Sequence, residues 1–412
     1  MTGATQVLVY ISLFLGIYFE AFLLLAYLSP EGRSRRNKAA AGEDCPTVAI
    51  IVPCFNEEST IGGTVESLKA LSYPKEKLEI ILVNDGSTDG TRAVMDAYMN
   101  DPRITVIHKE NGGKHTGLNL GIERTDAELV GCLDADSFVD PNALRELVPY
   151  FDRPNVAAVT ASMSVHNARN ILERMQYAEY MIGVAMRHML ATVNGLYVTP
   201  GPFSFYRRST IQELGGFRKA YQTEDMEMAL RIQRAGYHIE NAPRAKVFTK
   251  APKTVWSLLK QRTRWTSGFM RNAFDYRDLF MNKKHGVLGL LVLPLGIFAL
   301  VGSVSLFVLT IEQFVANTIR AIETQGQVPL SFAFHLPKID WFFMPASSLL
   351  MLGVVALGLV ACFMYLGKRI SGTQGKLHEH IIWYVLCYPL IAPLWVIRSA
   401  RDVAFGINRS WR

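Results

Sequence analysis

The chain has 412 residues, a formal net charge of +7 and 50% hydrophobic residues, long enough for several domains and unusually apolar for a soluble enzyme. Its five cysteines, Cys45, Cys54, Cys132, Cys362 and Cys387, form no CxxC pair, which argues against a metal cluster or a disulfide framework. Basic residues gather beside apolar runs, as at Arg33, Arg35, Arg36 and Lys38; this suits an anionic membrane leaflet, and the pattern contains no nucleic-acid module.

Val7–Leu28 is long enough to cross a hydrocarbon core of about 30 Å, and Glu20 is its only formal charge. No small-residue cleavage site follows, so residues 1–30 read as an uncleaved anchor. A charge inside a span should face protein or a polar path. The basic linker 31–46 places this end of the anchor in the cytoplasm.

Residues 47–252 read as a cytoplasmic catalytic domain. Short β-branched runs at Thr47–Val52, Leu78–Val83, Arg103–His108, Glu128–Leu133 and Val156–Ala161 read as buried strands. Helical patterns such as Thr60–Leu71 separate them, so the fold class is α/β with a mostly parallel sheet. Ligands of such sheets bind beyond the carboxyl ends of the strands. Asp85 and Asp136 both follow strand ends and should therefore share one edge.

Asp134 and Asp136, two apart at a strand end, have the chemistry to share Mg²⁺ or Mn²⁺ and leave phosphate oxygens to complete its shell. An ordinary turn or helix cap would read the same way. Thr223-Glu224-Asp225 opens a helical pattern; Thr223 would cap it, and a carboxylate there can also take a proton from a hydroxyl. Asn111-Gly112-Gly113-Lys114 is a glycine loop with a cation, without the flanking residues of a Walker motif. His108, His115, His166 and His188 are not at ligand spacings.

Ile171–Val193 carries one apolar stripe at helical spacing, suited to a membrane interface or to packing on the sheet. In residues 253–284, a helix over Thr254–Met270 places Gln261 beside the Arg264–Trp265 pair. Arginine chelates phosphate and tryptophan stacks on sugar rings, but a basic interfacial helix with an aromatic anchor has the same pattern. A membrane region follows over 285–397, with apolar runs at Val287–Ile311, Trp341–Leu366 and Ile381–Ile397, then a basic tail over 398–412. Four crossings from an outside N-terminus would leave that tail outside, against its charge. Either the last segment, with Pro389 and Pro393, re-enters, or another crossing lies between Gln313 and Leu336.

In order, the strings are PCFNEE at 53–58, NDGSTDGT at 84–91, NGGKHTGLNLG at 111–121, DAD at 134–136, TED at 223–225 and QRTRW at 261–265. This series resembles the processive family-2 glycosyltransferases of membranes, which include cellulose, chitin, hyaluronan and poly-N-acetylglucosamine synthases. The resemblance spans roughly residues 46–275 and implies a GT-A-like nucleotide-sugar fold. It implies that Pro53, Asn56 and Glu57 line the nucleotide pocket, that Asp85 holds the uridine and that Lys114 lies near the donor. Asp134 and Asp136 would be the metal pair and Asp225 the base. Gln261 and Arg264 would hold the diphosphate, with Trp265 at the acceptor. PGPFSFYRR at 200–208 would be an acceptor-side loop, although Phe203 and Phe205 suit a core equally well.

The resemblance implies inverting transfer from a UDP-sugar to a polysaccharide, best matched to an N-acetylglucosamine polymer, with export through a cell membrane and accessory export proteins as further partners. A single transfer to a lipid-linked acceptor and an inactive scaffold are the alternatives.

Overall fold

The computed structural model describes residues 3–36, 45–325, 348–374 and 377–407. The first apolar run forms α1 (Gly3–Leu28), followed by the short α2 (Pro30–Arg36). The catalytic unit then alternates β1 (Val48–Cys54), α3 (Ile61–Lys69), β2 (Leu78–Asp85), α4 (Thr91–Asp96), β3 (Ile104–Lys109), α5 (Lys114–Glu123) and β4 (Leu129–Cys132). It continues through β5 (Ser137–Val139), α6 (Ala143–Leu147), β6 (Val156–Val165), α7 (Ile171–Thr192), β7 (Ser204–Arg207), α8 (Arg208–Glu213), α9 (Glu224–Arg234), β8 (His238–Thr249) and α10 (Val255–Asp275). The last third holds α11 (Leu293–Gln325), α12 (Ser348–Ser371) and α13 (His378–Ala404).

One eight-stranded sheet runs β3-β2-β1-β4-β7-β6-β8-β5. β1 pairs in parallel with β2 and β4, and β2 with β3. β7 is antiparallel to both β4 and β6, whereas β6 and β8 are parallel. The five expected strands are present, and β5, β7 and β8 join them. β5 and β7 are short, and β8, which reads HIENAPRAKVFT, lacks a clean apolar period. The sheet is buried on both faces. Val48, Ile50, Val52, Ile80 and Leu82 pack to one side, and Ala49, Ile51, Ile81 and Val83 to the other. Burial on both sides explains why β1 and β2 read as continuous apolar runs.

α7 takes the second of its alternatives, packing on the sheet. It packs on β6 and β8 and also on α1, α12 and α13. Asn170 and Glu173 close a reciprocal capping box at its start. Phe203 and Phe205 are fully buried and stack edge to face at 4.8 Å, which places both in the core.

Among the described residues, four helices are long and apolar enough to cross a membrane: Gln6–Leu28, Leu288–Arg320, Leu350–Ser371 and His378–Ala404. Glu20 is partly buried and lies within electrostatic range of Tyr384 on α13, in accord with its expected protein-facing position. α11 continues the second run as far as Gln325; the rest of the proposed extra crossing, and residues 341–347 of the third run, fall outside the described residues.

The contacts of α13 bear on the charge conflict. Near its start, His380 packs on Tyr177 of α7 at 4.4 Å between ring centroids. Later, Ser399 donates to the Thr263 carbonyl of α10 at 3.1 Å. At the end, Arg271 of α10 donates to the carbonyls of Asp402 and Ile407. Both ends of α13 therefore touch the helices of the catalytic unit. Pro389 and Pro393 lie within one continuous helix.

Candidate active site

Parallel pairing of β1, β2 and β4 brings their carboxyl ends to one edge, as their order requires. A cavity of about 500 Å³ opens there. Its wall includes Pro53, Glu57, Asp85, Lys114, Asp134, Asp136, Asp225, Gln261, Arg264 and Trp265, residues drawn from distant parts of the chain.

Asn56 is the exception and does not line the cavity. Its left-handed backbone, φ 56°, turns the chain, and its side chain accepts from the Thr88 amide at 2.8 Å. Glu58 accepts from the Gly90 amide at 3.0 Å, and Thr91 donates through its hydroxyl to Asp89 at 2.5 Å. Much of PCFNEE and NDGSTDGT thus ties two strand-end loops together behind the cavity.

Asp85 is nearly fully buried and held from three sides. Its carboxylate accepts from the Gly112 and Gly113 amides at 2.9 Å each and from Lys109 at 2.5 Å. The glycine loop therefore approaches a carboxylate of its own chain.

Lys114 starts α5 and is ion-paired with Asp134. Burial alone would pull its ammonium down, but the charges of Asp134, Glu224 and Asp225 hold it above its ordinary value. The PGPF loop lies close above: a side chain at Gly201 would stand 2.7 Å from Lys114 Nζ and about 3.1 Å from Asp134. Burial, then the charges of Asp134 and Glu57, push Asp136 up to about 6. Two carboxylates two positions apart with this mutual repulsion suit a hard cation. The described residues contain no cluster of three or more ligating side chains, so water and phosphate oxygens would complete the shell.

α9 begins at Glu224, but Thr223 does not cap it with its hydroxyl. That hydroxyl donates to the Ala220 carbonyl at 3.0 Å and accepts from Asn272 of α10 at 2.9 Å. Asp225 itself accepts from the Met226 amide at 2.9 Å. Burial pushes Asp225 up to about 6, with Lys114 opposing and Glu224 adding to the effect.

α10 divides QRTRW between two tasks. Gln261, Arg264 and Trp265 face the cavity. Gln261 Oε1 is buried with no hydrogen-bond partner among the described residues. Arg262 turns the other way, bonds Glu179 of α7 at 2.7 Å and stacks on Trp265 at 4.3 Å. The chain order did not indicate Glu179 as a partner, because its neighbours in sequence are aromatic and apolar. Tyr180, Arg187 and Tyr197 also line the cavity and belong to no recognised string.

The model of glycosyltransferase-like family 2 matches residues 46–268, the segment that supplies the whole cavity. The chain belongs to glycosyltransferase family 2. Among family relatives, the poly-beta-1,6-N-acetyl-D-glucosamine synthase of Staphylococcus aureus (strain COL) is 32% identical over 284 residues, 67% of this chain and 68% of that one. The synthase of the same name from Staphylococcus epidermidis is 29% identical over 267 residues, 63% and 64% of the two chains. A mannosyltransferase, PcManGT from Pyrobaculum calidifontis, solved with GDP-Man and Mn²⁺, superposes with a TM-score of 0.61. It covers 97% of this chain and 99% of its own at 19% identity, so the shared fold includes the flanking helices. The family-2 chain is a glycosyltransferase with a GT-A-like fold and membrane-type helices.

Proposed function

We propose that this family-2 enzyme transfers N-acetylglucosamine from a UDP donor, with inversion, to the end of a growing polysaccharide, and that the product leaves through the adjoining helices. The observation that carries this reading is one cavity in which an acidic cluster at the sheet edge meets α10 beside the apolar helices. The synthase relatives supply the donor and product class.

In this reading Asp225 takes the proton from an acceptor hydroxyl. The hydroxyl oxygen attacks the anomeric carbon from the face opposite the diphosphate, the carbon–oxygen bond to UDP breaks, and an α-linked donor gives a β-linked product. Asp85 with Pro53 and Glu57 would receive the nucleoside. Lys114, Gln261 and Arg264 would hold the diphosphate, and Trp265 would stack on the acceptor sugar. Asp134 and Asp136 would hold Mg²⁺ or Mn²⁺, which neutralises charge on the departing diphosphate when bound.

The catalytic unit faces the cytoplasm in this proposal. α1, α11 and α12 cross the membrane, while α13 lies along its surface against α7 and α10. Three crossings return the basic tail to the cytoplasmic side and remove the charge conflict.

The test is direct. Purified enzyme in lipid nanodiscs receives UDP-N-acetylglucosamine, UDP-glucose or GDP-mannose with Mg²⁺ or Mn²⁺. UDP release is followed and the product is sized. A ladder made only from UDP-N-acetylglucosamine is expected; one sugar added to lipid would favour single transfer, and turnover of GDP-mannose alone would overturn the donor.

A further inference from the structure

Arg187 lies on α7, lines the cavity and has no hydrogen bond or ion pair among the described residues. Of the other cavity cations, Lys114 pairs with Asp134, Arg264 bonds the Gln222 carbonyl under four carboxylate charges, and Lys250 at the rim is exposed to solvent. The Arg187 side chain is half-buried with Nε enclosed, and arginine stays ionised in proteins, so a partly desolvated guanidinium without a counter-charge is costly unless a ligand supplies one.

The position is built. Helix side chains lean toward the N-terminus, and Arg187 leans over Gly183, where an added Cβ would stand 3.2 Å from its Nη1. Tyr180 and Tyr197 flank it, and Tyr197 is fixed against Phe269 at 5.7 Å between ring centroids. Burial pulls Arg187 down to about 10, and only the two tyrosines act on it electrostatically. Asp225, Asp134, Glu224 and Asp136, which all act on Arg264, do not reach it. The cavity therefore has an acidic end at the sheet edge and a separate cationic end on α7. α7 is the element that packs against α1, α12 and α13.

We propose that Arg187, flanked by Tyr180 and Tyr197, is an anion subsite that holds the phosphate ester of a lipid-borne acceptor at the membrane-facing end of the cavity. This rests on the proposed transfer to an acceptor hydroxyl at Asp225 and on the packing of α7 against the apolar helices. The phosphate is held, not attacked; a hydroxyl of the attached sugar faces Asp225. Arg187 is thus a specificity residue for the acceptor that begins a chain. A guanidinium matches a phosphate through two parallel hydrogen bonds, and the tyrosines add apolar area and hydroxyls beside it.

The test measures binding to the full chain in neutral maltoside micelles by calorimetry. The probes are dodecyl phosphate, inorganic phosphate and Mg²⁺–UDP, with the maltoside itself as the neutral amphiphile. Arg187→Gln should weaken dodecyl phosphate at least about tenfold, Arg187→Lys by about threefold, and neither should move Mg²⁺–UDP beyond about twofold. Unchanged dodecyl phosphate binding in Arg187→Gln overturns the proposal. So does a matching loss of Mg²⁺–UDP, which would put Arg187 in the donor site. Inorganic phosphate that binds as tightly as dodecyl phosphate overturns the lipid source.

Should Arg187→Gln fail to fold, wild-type protein decides: binding of dodecyl phosphate that is indifferent to added NaCl overturns the ion pair. Absence of polymer from UDP-N-acetylglucosamine, with Arg187-dependent phosphate binding intact, would defeat the proposed function and leave this inference standing.

Discussion

Asp225 and Asp136 are both pushed up to about 6 by burial. A base must be ionised to accept a proton, so the turnover rate should fall as pH drops through about 6. The same shift has a stability consequence. A carboxyl raised from 3.8 to about 6 in the folded chain favours folding in acid and loses that contribution as pH rises through its folded value. Asp225→Asn removes the base and the buried charge together. It should lower transfer by about 10²–10⁴-fold and raise the melting temperature of the donor-free enzyme. The gain in melting temperature should widen between about pH 4 and pH 7, as measured by thermal unfolding in each buffer. A gain of equal size at both pH values would show that Asp225 is not raised.

At this scale the acidic residues were readable from their positions after apolar strands. Arg187 was not, because a basic residue on an amphipathic helix reads as an ordinary solvated charge. Asn56 was misplaced because its string joins loop-building residues to cavity residues, and composition does not separate them. Thr223 read as a cap, but its hydroxyl serves α10 through Asn272.

At the scale of elements, α7 and α10 meet through Glu179 and Arg262, both largely buried. Arg262 also stacks on Trp265, so the ion pair fixes the ring that faces the cavity. Removing one partner leaves a buried charge uncompensated, which costs about 3–5 kcal/mol. Glu179→Ala should therefore lower stability by that amount and impair use of acceptor more than binding of donor. A double-mutant cycle with Arg262→Met should recover much of the loss, because neither charge then remains. Calorimetric unfolding and Mg²⁺–UDP titration of the four proteins check both parts; additive losses would rule out coupling. The helical periods of α7 and α10 were plain in the sequence. Their partnership was not, since it joins positions 83 residues apart. β7 and β5 were missed for a related reason: three or four residues give too little period to separate a strand from a loop.

At the scale of the whole molecule, hydropathy located four apolar helices but not their arrangement. Length and composition cannot distinguish a helix that crosses a bilayer from one pressed against an apolar interface. The tail charge signalled the problem, and the proposed surface position of α13 rests on its contacts with Tyr177, Thr263 and Arg271. The proposed topology makes a simple prediction. A green fluorescent protein fused after Arg412 should fluoresce in cells, and alkaline phosphatase fused there should be inactive; the reverse pattern would restore a fourth crossing. Arg271→Ala should loosen the end of α13 and increase proteolysis near Ile407, with little change in donor binding.

α11 has 33 residues, so its axis is about 50 Å long, whereas a hydrocarbon core is about 30 Å thick. From Leu293 the first charge along it is Glu312, about where the hydrocarbon should end. The remaining turns, with exposed Arg320 and Glu323, would rise clear of the lipid as a post on the far side. A newly emerging sugar chain would meet a fixed protein surface there before it reached free solution. Single cysteines at Asn317 or Glu323 should react in intact cells with a maleimide that cannot cross membranes, whereas one at Leu300 should stay protected.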